Sequence, residues 1–369
     1  MTLSVTFNVE FVCTAAEWNF ASRCLDLVGK SLFNFREYFP DPTLASCFMQ
    51  TSILRTTCRL LSTMYKDSGT NLASLSATEI KEWLDSFDTV LTDCDGVIWV
   101  DNVVLPQATD VVNKFIENGK KLFFVTNNST KTRPEFVTKS VKLGFNVGVD
   151  NIISTAYLAA QYLKGIGFSK KVYVVGSTGI TRELDAVGIP HIGIGPDLLE
   201  GSLAEAVQRF TPDPEVGAVI VGFDEHFNFI KMMKAASYLD RPDVIFIGTN
   251  TDERFPMPGC VVPGTGSIVN AVTTCAERQP LVMGKPNKSI CDILEKEYMV
   301  NPSRTLMIGD RCNTDILLGK NCGFKTLLVE TGIHKAADIE KFAQSSDPET
   351  KKLVPDVYTS KLGDLLPYL

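Results

Sequence analysis

Two aspartates one residue apart, Asp93 and Asp95, follow a short apolar run and are themselves followed at once by Gly96. An apolar run of this length, rich in β-branched residues and closed by glycine, is typical of a buried strand. In open α/β sheets, ligands bind at the edge where the strands end. Two carboxylates this close repel each other unless a cation or a proton lies between them. The stretch therefore predicts a site for a hard divalent metal ion, an acid/base pair, or both.

Residues able to bind anions or metal ions also stand near the ends of three later apolar runs. A few carboxylates together with a substrate phosphate are the ligands that Mg²⁺ prefers, whereas lysine, hydroxyl and amide groups hold anionic oxygens. Acidic metal ligands and phosphate ligands in one pocket indicate phosphoryl transfer. These residues are Thr126 and Asn127 after the run 120–125, Lys285 after the run 281–283, and Asp310 and Asp315 after the run 305–309.

Strands and helices alternate from Ser86 onward, and this alternation must bring the polar residues together. Helical spacing over 109–118, between the first two strands, predicts parallel strands joined by a helix. Residues 326–329 form the last clear strand, and 354–358 are expected to form an edge strand.

A second series of strands lies between the motif residues, at 172–176, 218–222 and 244–248, and it has no Asp-x-Asp pair. The pattern of the first series resumes at Leu281. The fold class predicted is therefore α/β: a Rossmann-like parallel-sheet core with an inserted α/β cap domain. The catalytic core is expected to comprise residues 85–168 and 280–369, and the cap residues 169–279.

Residues 1–84 lack this alternation and are predicted to form an N-terminal extension. Within residues 49–65, apolar residues share one helical face and Arg55 and Arg59 lie opposite, which is typical of a mitochondrial presequence. That interpretation requires translation to start at Met49, because acidic residues precede it. The alternative is an unstructured extension.

The composition excludes several classes of function. The formal charge of −7 does not favour nucleic acid as a partner, and no apolar run is long enough to span a membrane. The 10 cysteines include no CxxC pair and indicate reduced intracellular thiols. We therefore expect a cytoplasmic protein, or a protein of the mitochondrial matrix if translation starts at Met49. The 3 histidines lie far apart, which argues against a zinc site or a Ser-His-Asp relay.

The motif residues match, in order, the four motifs of the haloacid dehalogenase-like hydrolases. The spacing resembles the branch that carries an α/β cap between the second and third motifs. The resemblance covers residues 88–367; it is closest to eukaryotic phosphoglycolate phosphatases and 4-nitrophenylphosphatases, with pyridoxal phosphatases next. The matched segments are Asp93-Cys94-Asp95-Gly96-Val97, Thr126-Asn127-Asn128, Gly284-Lys285-Pro286, and Gly309-Asp310 with Asp315.

The resemblance implies a role for each matched acid. Asp93 would attack phosphorus and form an aspartyl-phosphate, and Asp95 would first protonate the leaving oxygen and then activate water. The resemblance also implies Mg²⁺ as cofactor, held by Asp93, the main-chain carbonyl of Asp95, and Asp310. Asp315 would orient a metal-bound water or Lys285, with simple capping of the following helix as the alternative.

Four further residues would bind the substrate. Thr126, Asn127 and the main-chain amide of Asn128 would hold the phosphoryl oxygens, and Lys285 would neutralise developing charge.

The loop 248–258 occupies the place of the family's substrate-specificity loop. Phe255 stands where the pyridoxal phosphatase branch has a histidine, and Arg254 is shared with the phosphoglycolate branch. A guanidinium can bind a substrate carboxylate through two hydrogen bonds; the alternative is that Arg254 only pairs with Asp252 or Glu253.

The sequence thus predicts a phosphatase for small phosphate monoesters, with 2-phosphoglycolate ahead of glycerol 3-phosphate and with 4-nitrophenyl phosphate as an in vitro substrate. Alternatives within the enzyme class are a pyridoxal 5'-phosphate phosphatase and a protein phosphatase. Outside it stand a receiver-like module, in which Asp93 only stores a phosphoryl group, and a scaffold without turnover. The resemblance also raises the expectation of a homodimer formed through the cap.

Overall fold

The computed structural model describes residues 68–255 and 259–369. The presequence-like segment 49–65 therefore lies outside the described residues. None of the helices in the described part of the chain has the length and apolar character needed to cross a membrane.

Strands alternate with helices along most of the described residues. In chain order the strands are β1 (Thr70–Asn71), β2 (Thr89–Thr92), β3 (Trp99–Val100), β4 (Val103–Val104), β5 (Lys121–Thr126), β6 (Ile152–Ser154), β7 (Lys171–Val175), β8 (His191–Ile192), β9 (Val216–Val221), β10 (Ile245–Gly248), β11 (Arg254–Phe255), β12 (Val262–Pro263), β13 (Leu281–Val282), β14 (Thr305–Gly309), β15 (Lys325–Val329) and β16 (Val357–Thr359).

The α-helices connect these strands. In chain order they are α1 (Ala77–Asp85), α2 (Ala108–Glu117), α3 (Arg133–Lys142), α4 (Thr155–Gly165), α5 (Thr178–Ala186), α6 (Leu203–Arg209), α7 (Phe229–Leu239), α8 (Thr265–Ala276), α9 (Ser289–Tyr298), α10 (Leu317–Cys322), α11 (Ala336–Gln344) and α12 (Pro348–Lys351). Short 3₁₀ turns cover Leu72–Ser74, Val149–Asn151, Pro302–Arg304 and Leu362–Tyr368, and a π-helical turn covers Cys312–Ile316.

A seven-stranded sheet in the order β1-β16-β15-β14-β2-β5-β6 forms the first layer of the fold. Every neighbouring pair in it is parallel. Thr92 on β2 lies opposite Ile308 on β14 and Phe124 on β5. The three strands therefore end side by side, and the residues that follow them meet at one edge.

Residues 70–85 correct the prediction of an extension that reaches residue 84. Strand β1 pairs with β16, and Leu72, Ile80 and Leu84 are buried in the same hydrophobic cluster as β2. Because β1 covers it, β16 is not the edge strand that the sequence pattern predicted. A strand of two residues carries no periodicity, which is why the pattern did not reveal it.

A five-stranded parallel sheet in the order β13-β10-β9-β7-β8 is formed by the middle of the chain. The predicted return to the first sheet at Leu281 is wrong, because Leu281 and Val282 pair with β10. An apolar run as short as 281–283 could extend either sheet, and only its hydrogen-bonded pairing with β10 shows which sheet it joins. The division into a catalytic core (85–168 and 280–369) and a cap (169–279) stays a prediction.

One hydrophobic cluster contains buried residues of both sheets and of helix α4. Leu91 and Met307 contribute from the seven-stranded sheet, and Val174 and Ile220 from the five-stranded sheet. Apolar surface that is removed from water at such a boundary stabilises the arrangement of the two layers. The five-stranded sheet is therefore packed against the same core that supports the polar strand ends.

An ion pair is fully buried within the five-stranded part. Lys231 Nζ lies 2.5 Å from Asp224 Oδ2, and the two side chains are 0% and 1% exposed. Removing one partner of such a pair leaves an uncompensated charge in the protein interior.

We expect Lys231→Met to lower the free energy of unfolding by about 3–5 kcal/mol, because the Asp224 charge loses its partner. Urea unfolding measures this change. The matched control is Lys170→Met, whose ion pair with Asp243 is 51% and 59% exposed, and which should change the free energy by less than about 1 kcal/mol. The double variant Asp224→Leu/Lys231→Met should recover most of the lost free energy of unfolding, because no unpaired charge remains. A loss no larger than that of the control would refute the importance of this pair.

Candidate active site

The Lys285 ammonium lies between two carboxylates at the edge of the seven-stranded sheet. Its Nζ is 2.7 Å from Asp93 Oδ1 and 2.7 Å from Asp315 Oδ1, and it donates to the carbonyl oxygen of Val125 at 3.0 Å. Burial by itself would lower the pKa of Lys285, but the charges of Asp315 and Asp93 outweigh it and raise that pKa well above its usual range. Lys285 is therefore a cation that can bind an anionic group.

Three carboxylates crowd the same edge. Oxygens of Asp93, Asp310 and Asp315 all lie within 4.8 Å of one another. Burial, with the charge of Asp93 adding to it, raises the pKa of Asp310 to about 6. Burial also raises the pKa of Asp315 to about 7, with Lys285 opposing the shift. One lysine does not balance this negative charge, and the hard oxygen donors fit Mg²⁺.

The loop after β15 holds Asp310 in place. The main-chain N–H of Ile333 donates to Asp310 Oδ2 at 2.8 Å, and that of His334 donates to the Asp310 carbonyl at 3.0 Å. A Cβ on Gly332 would lie 1.8 Å from Asp310 Oδ2, so no larger residue fits. Sequence reasoning missed this loop, although a glycine just beyond a buried strand at the same sheet edge was an available signal.

Asp315 lies in the π-helical turn Cys312–Ile316 and is completely buried. A Cβ on Gly309 would lie 2.1 Å from the Asp315 Cβ, so only glycine permits this close approach. The Asp315 carboxylate accepts from the main-chain N–H of Arg311 at 3.1 Å and faces Lys285. The structure therefore does not support the alternative in which Asp315 only caps the helix that follows.

The loop after β5 brings Thr126, Asn127 and Asn128 to the same edge. Asn127 Oδ1 accepts from the main-chain N–H of Lys285 at 2.9 Å, and Thr126 Oγ1 accepts from the main-chain N–H of Asn128 at 3.2 Å. Asn128 Oδ1 accepts from the main-chain N–H and the hydroxyl of Thr130. The loop is ordered by these contacts, and the assignment of its atoms to phosphoryl oxygens stays a prediction.

Asp95 lies beside the carboxylate cluster and is exposed to solvent. The turn that carries it is closed by the main-chain N–H of Gly96, which donates to the Trp99 carbonyl at 2.7 Å. Gly96 has a φ of +87°, and a Cβ there would lie 2.9 Å from Asp310 Oδ2. The surrounding protein displaces part of the water around the carboxyl group and raises the pKa of Asp95, and the charge of Asp93 adds to this shift.

Arg254 lies on strand β11, which pairs with β12 in a separate two-stranded ribbon. Its side chain is exposed, and no ion pair joins it to Asp252 or Glu253 within residues 68–255 and 259–369. Asp252 instead faces Arg311, with 3.4 Å between Oδ1 and Nη1.

The structure therefore brings eight of the nine predicted residues to one sheet edge and leaves Arg254 outside their contacts. Asp252 and Arg311 are polar residues at this edge that the sequence-based site did not include.

Two family models match the chain: "Haloacid dehalogenase-like hydrolase" over residues 90–190 and "HAD-hydrolase-like" over residues 282–359. The glycerol-3-phosphate phosphatase of Mus musculus is 42% identical over 305 residues, covering 80% of this chain and 95% of that protein. The chloroplastic phosphoglycolate phosphatase 1A of Arabidopsis thaliana is 38% identical, covering 80% and 81%.

A solved structure has the same fold. The p-nitrophenyl phosphatase from Archaeoglobus fulgidus superposes with a TM-score of 0.65 at 28% identity, over 77% of this chain and 100% of that chain. Both family models include parts of the carboxylate edge, Asp93 in the first and Asp310 in the second. With this relatedness over most of its length, the chain belongs to the haloacid dehalogenase-like hydrolases.

Proposed function

We propose that the protein is a Mg²⁺-dependent phosphatase that hydrolyses small phosphate monoesters through an aspartyl-phosphate. The observation that carries this proposal is the buried Lys285 ammonium at 2.7 Å from both Asp93 and Asp315, with Asp310 in the same carboxylate cluster. Carboxylates for a metal ion and a cation for phosphate in one site are the requirements of phosphoryl transfer. The phosphatase names of the relatives support the same conclusion.

Asp93 is the nucleophile, and Asp95 transfers protons. An oxygen of Asp93 attacks phosphorus while the ester P–O bond breaks, and Asp95 gives its proton to the leaving oxygen. In the second step Asp95 takes a proton from water, which attacks phosphorus and breaks the bond to Asp93. Inorganic phosphate leaves, and Asp93 is regenerated. The surrounding protein, with the charge of Asp93 adding to its effect, raises the pKa of Asp95 and so favours the protonated form that the first step needs.

Asp93, the main-chain carbonyl of Asp95, and Asp310 would hold Mg²⁺. When bound, the ion supplies positive charge that offsets the repulsion between the Asp93 carboxylate and the incoming phosphate. Asp315 fixes the Lys285 ammonium, which neutralises charge on the phosphoryl group. Thr126, Asn127 and the main-chain amide of Asn128 hold the remaining phosphoryl oxygens.

The substrate is a small anionic ester, with 2-phosphoglycolate as the first choice and glycerol 3-phosphate as the second. The exposed Arg254 guanidinium, without a protein carboxylate as partner among the described residues, supports a carboxylate-bearing substrate. The relatives are named for both esters. Phe255, which stacks on Phe223 at 4.7 Å between ring centroids, stands in place of the histidine of pyridoxal phosphatases and argues against pyridoxal phosphate.

Two finer expectations complete the proposal. The protein acts in the cytoplasm, or in the mitochondrial matrix if translation begins at Met49. It forms a homodimer through the inserted cap.

We expect Asp93→Asn to lower the turnover of p-nitrophenyl phosphate by at least about a thousand-fold, because an amide oxygen is a poor nucleophile. Steady phosphate release by the unaltered protein is measured alongside. Asp150→Asn, an exposed aspartate on the Val149–Asn151 turn, serves as the control and should leave turnover unchanged. A single burst stoichiometric with protein would instead indicate a receiver-like phosphate acceptor.

Removal of divalent ions with EDTA should abolish turnover, and Mg²⁺ should restore it. A second readout does not depend on turnover: excess Mg²⁺ should raise the thermal midpoint of the protein, since a ligand of the native state stabilises it. Asp310→Asn should lose this Mg²⁺-dependent rise because one carboxylate ligand is gone. Equal rises in both proteins would show that Asp310 does not hold the ion.

We expect Arg254→Ala to raise the KM for 2-phosphoglycolate by about ten-fold or more, because a charge-assisted hydrogen bond is lost. The KM for p-nitrophenyl phosphate, which has no carboxylate, should stay within about two-fold. Arg254→Lys should recover part of the loss, since it restores charge without bidentate geometry. An unchanged KM for 2-phosphoglycolate would exclude Arg254 as the carboxylate ligand.

A further inference from the structure

The segment after β10 reaches from the five-stranded sheet to the polar edge of the seven-stranded sheet. Asn250 Nδ2 donates to the Asn127 carbonyl at 2.6 Å, and Thr249 Oγ1 donates to Ser129 Oγ at 3.4 Å. Asp252 Oδ2 accepts from Asn127 Nδ2 at 3.2 Å. Segment 249–252 therefore binds the loop after β5 at several points.

Asp252 is held firmly within this segment. Its main-chain N–H donates to Asn250 Oδ1 at 3.1 Å, and its carbonyl accepts from the N–H of Gly266 at 2.8 Å. A Cβ on Gly264 would lie 2.3 Å from that carbonyl oxygen, so the backbone segments approach closely here. The backbone of Asp252, two residues before Arg254, is thus fixed by hydrogen bonds to Asn250 and to the start of α8.

The second partner of Asp252 comes from the segment directly after β14, which also bears a predicted metal ligand. Arg311, which directly follows Asp310, places Nη1 at 3.4 Å from Asp252 Oδ1. The two side chains are 30% and 29% exposed, so the pair lies at the boundary between protein and solvent. The main-chain N–H of Arg311 in turn donates to Asp315 Oδ2 at 3.1 Å. The ion pair therefore joins the segment 249–252 to the Asp310–Asp315 turn.

Asn127 links the same carboxylate to Lys285. Its Oδ1 accepts from the main-chain N–H of Lys285 at 2.9 Å, and this contact orients its Nδ2 toward Asp252. Displacement of Asp252 would thus disturb both the Arg311 side and the Lys285 side of the site.

We infer that Asp252 and Arg311 are a pair of positioning residues that hold the segment 249–255 against the edge that carries the catalytic carboxylates. The ion pair couples the placement of Arg254 to that of Asp310 and Lys285, so that a substrate bound by Arg254 meets an ordered site. This inference rests on the proposed phosphatase function for its kinetic consequences. Its structural content, a contact between Asp252 and Arg311 that fixes this segment, does not depend on turnover.

A double-mutant cycle tests the coupling. Asp252→Asn keeps an acceptor for Asn127 Nδ2 but removes the charge that faces Arg311, and Arg311→Gln removes the opposite charge. We expect each to lower kcat/KM for p-nitrophenyl phosphate by about five-fold, as for a partly exposed pair, and the double variant to lose no more than either alone. Losses that multiply to about 25-fold in the double variant would overturn the coupling. Unchanged kcat/KM in the single variants would also overturn it.

Hydrogen–deuterium exchange of the segment 249–255 tests the contact without turnover. Exchange should rise to the same extent in Asp252→Asn, in Arg311→Gln and in the double variant, while the thermal midpoint stays that of the unaltered protein. Glu253→Gln, a change of the neighbouring exposed acid, should leave exchange unchanged. If exchange in these variants were as slow as in the unaltered protein, the inferred role of the Asp252–Arg311 contact would be refuted. If the unaltered protein hydrolysed no phosphate ester, the proposed function would be refuted. The exchange measurement would still show whether the contact between Asp252 and Arg311 fixes the segment.

Discussion

A buried ammonium group is the constraint around which this site is built. Lys285 is 2% exposed, and an unpaired charge at that depth would strongly destabilise the fold. Its partners are Asp93 after β2, Asp315 beyond β14 and the Val125 carbonyl on β5. These strands are neighbours in the order β14-β2-β5, so pairing of the lysine requires them to end together. The contacts that stabilise the cation thus also assemble the site.

Close approach of backbone to carboxylate is the second requirement. Gly309 lies against Asp315, while Gly96 and Gly332 lie against Asp310, and at each of these glycines a Cβ would come within 3.0 Å of the acid. Without side chains at these points, main-chain amides can reach the carboxylate oxygens, as Ile333 reaches Asp310. Such hydrogen bonds favour the ionised form of a carboxyl group, which is the form that binds a metal ion. The glycines therefore belong to the chemistry of the site as well as to its turns.

The five-stranded sheet contacts the candidate site through polar groups as well as through its hydrophobic core. Its residues share a hydrophobic cluster with Leu91 and Met307 of the seven-stranded sheet, and its segment 249–252 binds the loop after β5. Asn127 is the meeting point, because one side-chain amide contacts both Asp252 and the Lys285 backbone. The two sheets thus share hydrogen-bonded residues at the edge where the carboxylates lie.

The sequence by itself determined the family, the reaction class and which polar residues follow the ends of the apolar runs. Asp93, Asp95 and Asp310 follow strands of one parallel sheet, and parallel strands bring such positions to one edge whatever the details of packing. Lys285 also follows an apolar run, but that run lies in the five-stranded sheet, so the packing of the two sheets brings its ammonium to this edge. The sequence did not determine contacts between segments without periodicity. The two-residue strands β1 and β13 could be assigned only by their pairing with β16 and β10. Nor could it reveal the Gly332 loop or the Asp252–Arg311 pair, because residues 59 positions apart meet only when two sheets pack together. Local pattern decides which residues end a strand, whereas long-range packing decides which side chains face them.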